Sequence, residues 1–249
     1  MIRLVFLMRR KPELSLEEFQ RYWRDRHAPL VASFATRLKL LRYVQVHTLA
    51  DVQLEGPRGE MEPPYDGVAE LWWQNEESVG DDAEAMRALL EDEREFIDLP
   101  QSPLWFSYEY PQVNPSPENI VAHERNSIVK LYYPLRPPAH LKVDDAQLYW
   151  RTQHGPLVRS HAEASGLLRY MQVHRFDSRL EARLREARGT VVEPYMGHAE
   201  AWFDREVLRD GGPEAETALR AAVEDEVKFI DFRRSCIWLG KEHVIVSRL

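Results

Sequence analysis

The sequence lacks most of the features that mark covalent scaffolds and nucleotide-binding or hydrolytic sites. Cys236 is the single cysteine among 249 residues, which excludes an intramolecular disulfide and a cluster of thiolate ligands. No GxGxxG, GxxxxGKS/T, GxSxG or HExxH motif occurs. The sequence therefore predicts no dinucleotide or P-loop site, and no cofactor or metal is expected.

Positive charge and long apolar runs are also scarce. Lysine and arginine number 33 against 41 acidic residues, which gives a net charge of −8. Such a surface repels polyanions, so neither nucleic acid nor an anionic membrane is an expected partner. The apolar run near the N-terminus is too short for a signal peptide, and no window reaches membrane-spanning length. We expect a cytoplasmic protein that acts on a small molecule.

One ten-residue segment, here called the repeated phrase, occurs twice in the sequence. "YWRDRHAPLV" at Tyr22–Val31 returns as "YWRTQHGPLV" at Tyr149–Val158, and "LLRYVQVHTL", "EPPYDGVAELWW" and "EDEREFID" also have second copies. The offset between copies grows from 127 to 130 to 133 positions, as loop insertions in the second copy would cause. The sequence predicts a duplicated domain, with one repeat at 1–110, a linker at 111–125 and a second repeat at 126–249.

Periodicity within one repeat predicts the order of its elements. Ser15 and Glu18 form a capping box ahead of a helical apolar stripe. The predicted strands are 2–8, 42–47, 68–73 and 104–110, and the predicted helices are 16–30 and 83–97. This βαββαβ order is the ferredoxin-like unit. The expected fold class is α+β, with two tandem ferredoxin-like repeats packed as an intrachain pseudo-dimeric α+β barrel around a cavity between their sheets; larger homo-oligomers stay open.

The "YWRxxHxPLV" phrase, the "RYxQVH" strand and this element order resemble the EthD family of the dimeric α+β barrel superfamily. The resemblance covers nearly the whole chain. It implies a relationship to cofactor-free polyketide cyclases and dehydratases, quinone-forming monooxygenases, muconolactone isomerases and some haem enzymes. The family therefore does not select one reaction.

The two histidines of the phrase allow two interpretations. His27 and His154 lie on the buried stripe of their helices, and Pro29 and Pro156 follow each by two residues. A proline there kinks the helix and frees a carbonyl, which the imidazole could satisfy in a structural role. Alternatively, the kink presents the ring to the cavity as an acid or base.

The strands supply further candidates. Tyr43, Gln45 and His47 alternate with Val44 and Val46, and we expect the polar face to line the cavity and the valines to pack on the helices. The second copy repeats this face as Tyr170, Gln172 and His174.

On the third strand, Glu70 and Trp72 should point inward, as should Glu200 and Trp202 in the second copy. A glutamate beside a histidine can transfer protons. The structural alternative pairs Glu70 with Arg42 and Glu200 with Arg169.

Some positions differ between the copies. His198 replaces Val68 on the presumed cavity face, His161 replaces Phe34, and His243 replaces Tyr110. The second half therefore has more titratable groups from which to build a site.

The favoured interpretation is a cofactor-independent lyase, cyclase or isomerase that acts on a hydrophobic aromatic or polyketide-like carbonyl compound. The candidate acid–base residues are His27, His47, Glu70, His154, His174, His198 and Glu200. The candidate substrate-binding residues are Tyr43, Gln45, Trp72, Tyr170, Gln172 and Trp202. The alternatives are a cofactor-free or haem-assisted monooxygenase and a non-catalytic protein that binds the same ligand.

Overall fold

Eight antiparallel strands close into a barrel in the order β1-β3-β2-β8-β5-β7-β6-β4. The structure, a computed structural model, describes residues 1–51, 54, 56–114, 120–209 and 211–248. The strands are β1 (Ile2–Met8), β2 (Arg42–Thr48), β3 (Gly67–Trp73), β4 (Leu104–Val113), β5 (Ile128–Leu135), β6 (Leu167–Arg175), β7 (Gly197–Asp204) and β8 (Trp238–Ser247). The chain is thus an α+β barrel, as the sequence predicts.

The helices pack against the outside of the barrel. They are α1 (Leu16–Tyr22), α2 (Ala28–Phe34), α3 (Ala83–Phe96), α4 (Val143–Tyr149), α5 (Gly155–Ser160), α6 (Glu181–Arg188), α7 (Arg205–Arg209) and α8 (Pro213–Glu226). Each half has its own apolar core between sheet and helices. None of the helices in the described ranges has the length and apolar content to cross a lipid bilayer.

The two halves share the barrel through strand pairing. β2 of the first half pairs with β8 of the second, and β4 pairs with β6. β4 continues to Val113, so its end lies inside the segment predicted as a linker. Residues 115–119 of that segment lie outside the described residues, and the domain boundaries stay a prediction.

The alternation of side chains along β2 is opposite to the predicted one. Val44 and Val46 point into the barrel, whereas Tyr43, Gln45 and His47 point to the helices. The same correction applies to Tyr170, Gln172 and His174 on β6. A two-residue period establishes that the faces differ, but not which one is interior. The valines fit the crowded interior, and the polar residues find hydrogen-bond partners on the helices.

The amphipathic helix of the repeated phrase is interrupted by one wide turn. Ser15 caps α1 through the predicted capping box with Glu18. Trp23–His27 then forms a π-helical turn, in which the Ala28 amide donates to the carbonyl of Trp23. Pro29 has no amide hydrogen to continue the α-helical pattern. The second half repeats this turn at Trp150–His154, so the irregularity predicted as a proline kink is a π turn.

Candidate active site in the second half

A histidine and an aspartate meet where the helices of the second half cover the sheet. Nδ1 of His154 lies 2.9 Å from Oδ2 of Asp225, and the Tyr149 hydroxyl donates to Oδ1 of Asp225 at 2.6 Å. The imidazole also packs against Phe229 with 5.1 Å between ring centroids. His154 ends the π turn and Asp225 lies in the last turn of α8. These contacts hold the imidazole in one orientation.

The Asp225 carboxylate sets the protonation pattern of the ring. Burial alone would raise the pKa of Asp225, but hydrogen bonds from Lys228, Tyr149 and His154 hold it below its ordinary value. An ionised carboxylate only accepts hydrogen bonds, so Nδ1 carries the proton and Nε2 of the neutral ring carries the lone pair. Among the described residues, Nε2 has no hydrogen-bond partner.

A tyrosine on β6 lines the same cavity as this histidine. Its hydroxyl accepts hydrogen bonds from Nε1 of Trp150 at 3.0 Å and from the Gln172 amide at 3.4 Å. Burial raises the pKa of Tyr170, so the phenol stays protonated. Because its acceptor capacity serves Trp150 and Gln172, the phenolic hydrogen of Tyr170 is left for another partner.

His174 has a structural environment. Its ring stacks on Trp150 at 4.5 Å with an interplanar angle of 9°, and its Nε2 lies 3.2 Å from Oε1 of Gln172. Burial lowers the pKa of His174 to about 3. His47 has the same stacking on Trp23 and the same glutamine contact in the first half. Neutral, hydrogen-bonded histidines of this kind hold strand and helix together.

The cavity that His154 faces has a volume of about 390 Å³. It lies between the helices and the sheet, not between two sheets as the sequence predicts. Its wall is mostly apolar, with Ala199 and Ala201 as small residues on the sheet. The lining residues with polar or titratable groups include His154, Tyr170, Trp150, Tyr133, Glu226 and Arg58.

The first half contains the same histidine and aspartate but a much smaller cavity. Nδ1 of His27 lies 2.7 Å from Oδ2 of Asp92, and the Tyr22 hydroxyl donates to Oδ1 of Asp92 at 2.9 Å. The hydrogen bond from His27 lowers the pKa of Asp92. The cavity beside His27 measures about 80 Å³. The acid–base pair is therefore duplicated, whereas room for a ligand is concentrated in the second half.

A few substitutions between the copies explain the difference in volume. Large residues in the wall of the first cavity correspond to smaller ones in the second. The replacements are Leu71 by Ala201, Leu89 by Ala222, Leu38 by Ser165 and Trp73 by Phe203. His161, which takes the place of Phe34, also lines the larger cavity.

Inside the barrel, charged residues form a closed cluster. Arg3 contacts Glu70, Glu200 and Glu109. Nζ of Lys130 lies 2.8 Å from Glu70, 2.8 Å from Glu200 and 3.3 Å from Glu242. The expected partners Arg42 and Arg169 instead lie over the rings of Trp72 and Trp202, whose indole nitrogens donate to Glu109 and Glu242. Glu70 and Trp72 do point inward as predicted, and so do Glu200 and Trp202.

His198 completes this cluster without adding an acid–base site. Its Nε2 lies 3.1 Å from Oε1 of Glu200, and burial lowers the pKa of His198 to about 3. Burial also raises the pKa of Glu70, while Glu200 stays below its ordinary value because Arg3 and Lys130 outweigh its burial. One ligand atom from each of Glu70, His198 and Glu200 lies within 4.8 Å of the others. Arg3 and Lys130 already contact the oxygens of both glutamates, so the donor set does not suit a metal ion.

The structure therefore separates the predicted residues. His154 and Tyr170 lie at the larger cavity, His47 and His174 pack between strand and helix, and Glu70, His198 and Glu200 lie in the barrel interior. Sequence reasoning missed Asp92 and Asp225, although both lie in the repeated "EDExxFID" segment. It also missed Glu226, which lies in the same segment, and Tyr133 and Arg58, for which no local motif gives a signal.

Comparison with known proteins identifies the repeated unit. The model of the EthD domain matches residues 11–100 and 139–233. Among solved structures, the chain is similar to a protein from Lactobacillus acidophilus NCFM that is named a "putative monooxygenase". The identity is 10%, the alignment covers 99% of this chain and 95% of that chain, and the TM-score is 0.48. No curated protein matches the chain.

Proposed function

This chain belongs to the EthD family, and we propose that it is a cofactor-independent enzyme that transfers protons on a hydrophobic carbonyl compound. Such an enzyme catalyses a lyase, cyclase or isomerase reaction through an enolate. The observation that carries the proposal is the His154–Asp225 pair at the wall of a 390 Å³ apolar cavity. We also interpret the halves as tandem ferredoxin-like repeats, because their strand orders β4-β1-β3-β2 and β8-β5-β7-β6 match.

His154 is the base in this proposal. Its Nε2 takes a proton from the carbon next to the substrate carbonyl, and Asp225 stabilises the imidazolium that forms. The geometry is that of a base oriented by a third group, which general acid–base catalysis requires. In this proposal, the carboxylate that orients the histidine is Asp225 on α8, and not a glutamate beside a strand histidine as the sequence predicts.

Tyr170 stabilises the enolate. Its phenolic hydrogen is available because the oxygen accepts from Trp150 and Gln172. A donor placed where negative charge develops lowers the barrier most in a site with little water. The apolar wall of the cavity supplies such a site and holds the rings of an aromatic substrate. The proton returned by His154 then completes isomerisation, cyclisation or loss of a leaving group.

Exchange of carbon-bound hydrogen tests the proposal without knowledge of the natural substrate. α-Tetralone, an aromatic ketone, is incubated with the protein in D₂O, and loss of its α-proton signal is followed by NMR. We expect exchange above the buffer rate, and a fall of about 10²-fold or more in His154→Ala.

The matched control is His27→Ala, which removes the same group from the smaller cavity and leaves the exchange rate unchanged. Binding of α-tetralone without exchange would favour the non-catalytic alternative. Equal loss in both variants would point to a structural role for the two histidines.

A further inference from the structure

A second polar cluster lies in the wall of the larger cavity and takes no part in the proposed proton transfer. Nε and Nη2 of Arg58 donate to the two carboxylate oxygens of Glu226 at 2.6 and 2.7 Å. The Tyr133 hydroxyl lies 3.4 Å from Oε2 of Glu226. The side chains of Arg58 and Glu226 are 13% and 5% exposed. Arg58 comes from the connection between β2 and β3, so the first half completes the cavity of the second.

The cluster does not use every N–H group of Arg58. Nε and Nη2 bind Glu226 and Tyr133 is a further hydrogen-bond partner of the guanidinium, but Nη1 carries two N–H groups, so at least one of them has no partner among the described residues. The counterpart in the smaller cavity differs. There Nη2 of Arg188 donates to Glu93 at 2.7 Å, and Nη1 donates to the carbonyl of Leu184 at 3.3 Å. The spare donor is thus found at the cavity that has room for a ligand.

The strand residue that packs against Arg58 also differs between the halves. Tyr133 on β5 takes the place of Phe6 on β1. Phe6 has no hydroxyl, whereas Tyr133 adds a polar group at the Arg58 end of the larger cavity.

The two polar ends of the cavity are separated by a floor of small residues. Tyr133 lies on β5 opposite Ala199 of β7, and Tyr170 lies on β6 opposite Ala201 of β7. Two inter-strand spacings across the sheet and two residues along β7 therefore separate the tyrosines, a Cα–Cα distance of about 12 Å. The π turn that ends at His154 contacts Tyr170 and Gln172 of β6, whereas the Arg58 guanidinium lies over the ring of Tyr133 on β5. His154 and Arg58 therefore lie on opposite sides of this floor.

We propose that the substrate is a planar, fused-ring aromatic ketone with a second, uncharged oxygen group at the end remote from the reacting carbonyl, and that Nη1 of Arg58 donates to this oxygen. The inference rests on the proposed function for the position of the reacting carbonyl. The remote group is uncharged because Glu226 already balances the guanidinium, so a carboxylate there would lie beside Glu226 without a cation of its own. A phenol or a second ketone fits.

Two probes that differ only in the remote oxygen test this assignment. α-Tetralone has the carbonyl alone, and 6-hydroxy-1-tetralone adds a phenol at the opposite end of the fused rings. Isothermal titration calorimetry on the full chain gives the ratio of their dissociation constants. We expect the hydroxylated ketone to bind about tenfold more tightly, as one hydrogen bond from a charged donor provides.

Arg58→Gln should bring this ratio close to one. Because that variant leaves Glu226 buried without its cation, the double variant Arg58→Gln/Glu226→Gln removes both charges and should give the same ratio in a stably folded protein. Arg188→Gln is the matched control, and the preference should persist in it.

The outcomes separate the two proposals. Equal affinity of the wild-type chain for both ketones, or a preference that survives in both Arg58 variants, would overturn the role of Arg58 while α-proton exchange still supports the enzyme. A preference that depends on Arg58, without exchange of either ketone, would overturn the proposed function and leave the binding assignment standing. Failure of both ketones to bind would overturn both.

Discussion

Among single side chains, Asp225 has the most specific role, because it decides which nitrogen of His154 is protonated. In Asp225→Asn, the amide can donate to Nδ1, which moves the ring proton to Nε2 and removes the base. We expect the exchange rate to fall by about 10²-fold, close to the loss in His154→Ala, with little change in ketone affinity. NMR exchange and calorimetry on the same sample measure the two effects.

Asp92→Asn is the control for this experiment. It makes the same change beside His27, whose cavity of about 80 Å³ is too small for the ketone. A similar loss of exchange in this variant would contradict the assignment of the site to the second half.

Glu70 gives a prediction for the pH dependence of stability. Burial raises the pKa of Glu70 from 4.5 to about 8. A carboxyl with a raised pKa contributes stability that is complete below pH 4.5 and is lost as the pH rises through 8. Between these values the free energy of unfolding should fall by up to about 1.4 kcal/mol per pH unit through this group. Glu70→Gln, which mimics the protonated acid, should remove that slope in urea titrations.

Glu200→Gln is the contrasting variant. Arg3 and Lys130 hold the pKa of Glu200 below its ordinary value, so this carboxylate is ionised and compensates two buried cations. Its removal should destabilise the chain by about 3 kcal/mol or more at neutral pH. If the two glutamine variants were equally stable at pH 7, the division of roles within the cluster would be wrong.

The sequence identified several of these residues but not their partners. Glu70 and Glu200 could be placed inside the barrel from strand alternation, yet Arg3 and Lys130, which bind them, occupy other strands and carry no motif. Likewise, Asp225 lies 71 positions from His154 in the chain. Pairs of this kind depend on tertiary packing, which periodicity within one element does not contain.

At the scale of elements, a glutamine on the sheet joins each π turn to its strand. Gln172 is fully buried; its amide donates to the carbonyl of Trp150 and to Tyr170, and its oxygen contacts His174. Gln45 makes the equivalent contacts in the first half. The π turn therefore has a fixed position over the strand.

Alanine at either glutamine should destabilise the chain by a similar amount. Each substitution leaves buried polar groups without partners, at a cost of about 2 to 3 kcal/mol in urea unfolding. Only Gln172→Ala should also slow exchange, because Tyr170 loses a neighbour that orients it. Loss of exchange in Gln45→Ala at a temperature where that variant stays folded would argue against this separation.

The inverted face of β2 and β6 shows where reasoning from elements stops. Alternation predicted that Tyr43, Gln45 and His47 share one face, and they do. The assumption that polar faces line a cavity between sheets failed because the carbonyl of Trp23 and its indole nitrogen offered them hydrogen-bond partners on the helix. The choice between two faces is made by the neighbouring layer.

In the whole molecule, the two halves have the same histidine–aspartate pair but differ in the volume of the cavity beside it. Ala201→Leu and Ala222→Leu restore the residues of the first copy, Leu71 and Leu89. Each should fill part of the larger cavity, raise the free energy of unfolding by about 1 kcal/mol and weaken ketone binding. Calorimetry and urea unfolding of both variants test this, and ketone affinity equal to that of the wild type would place the ligand elsewhere.

The duplicated sequence predicted the α+β barrel and placed more titratable residues in the second half. It did not predict that the ligand space lies between helices and sheet, because volume depends on how Leu71 or Ala201 packs against residues from distant elements. Small substitutions that look like drift in the sequence thus produce a several-fold difference in cavity volume.

The pairing of β2 with β8 and of β4 with β6 has a consequence for how the chain responds to dilution. Two identical subunits separate when their concentration falls below the dissociation constant, and every substitution in them occurs twice. Here the partners are tethered, so their meeting is unimolecular and their effective concentration does not change with that of the protein. A difference such as that between Leu71 and Ala201, which occupy equivalent positions in the two halves, therefore alters one side of the barrel alone. The opposite side keeps its full packing.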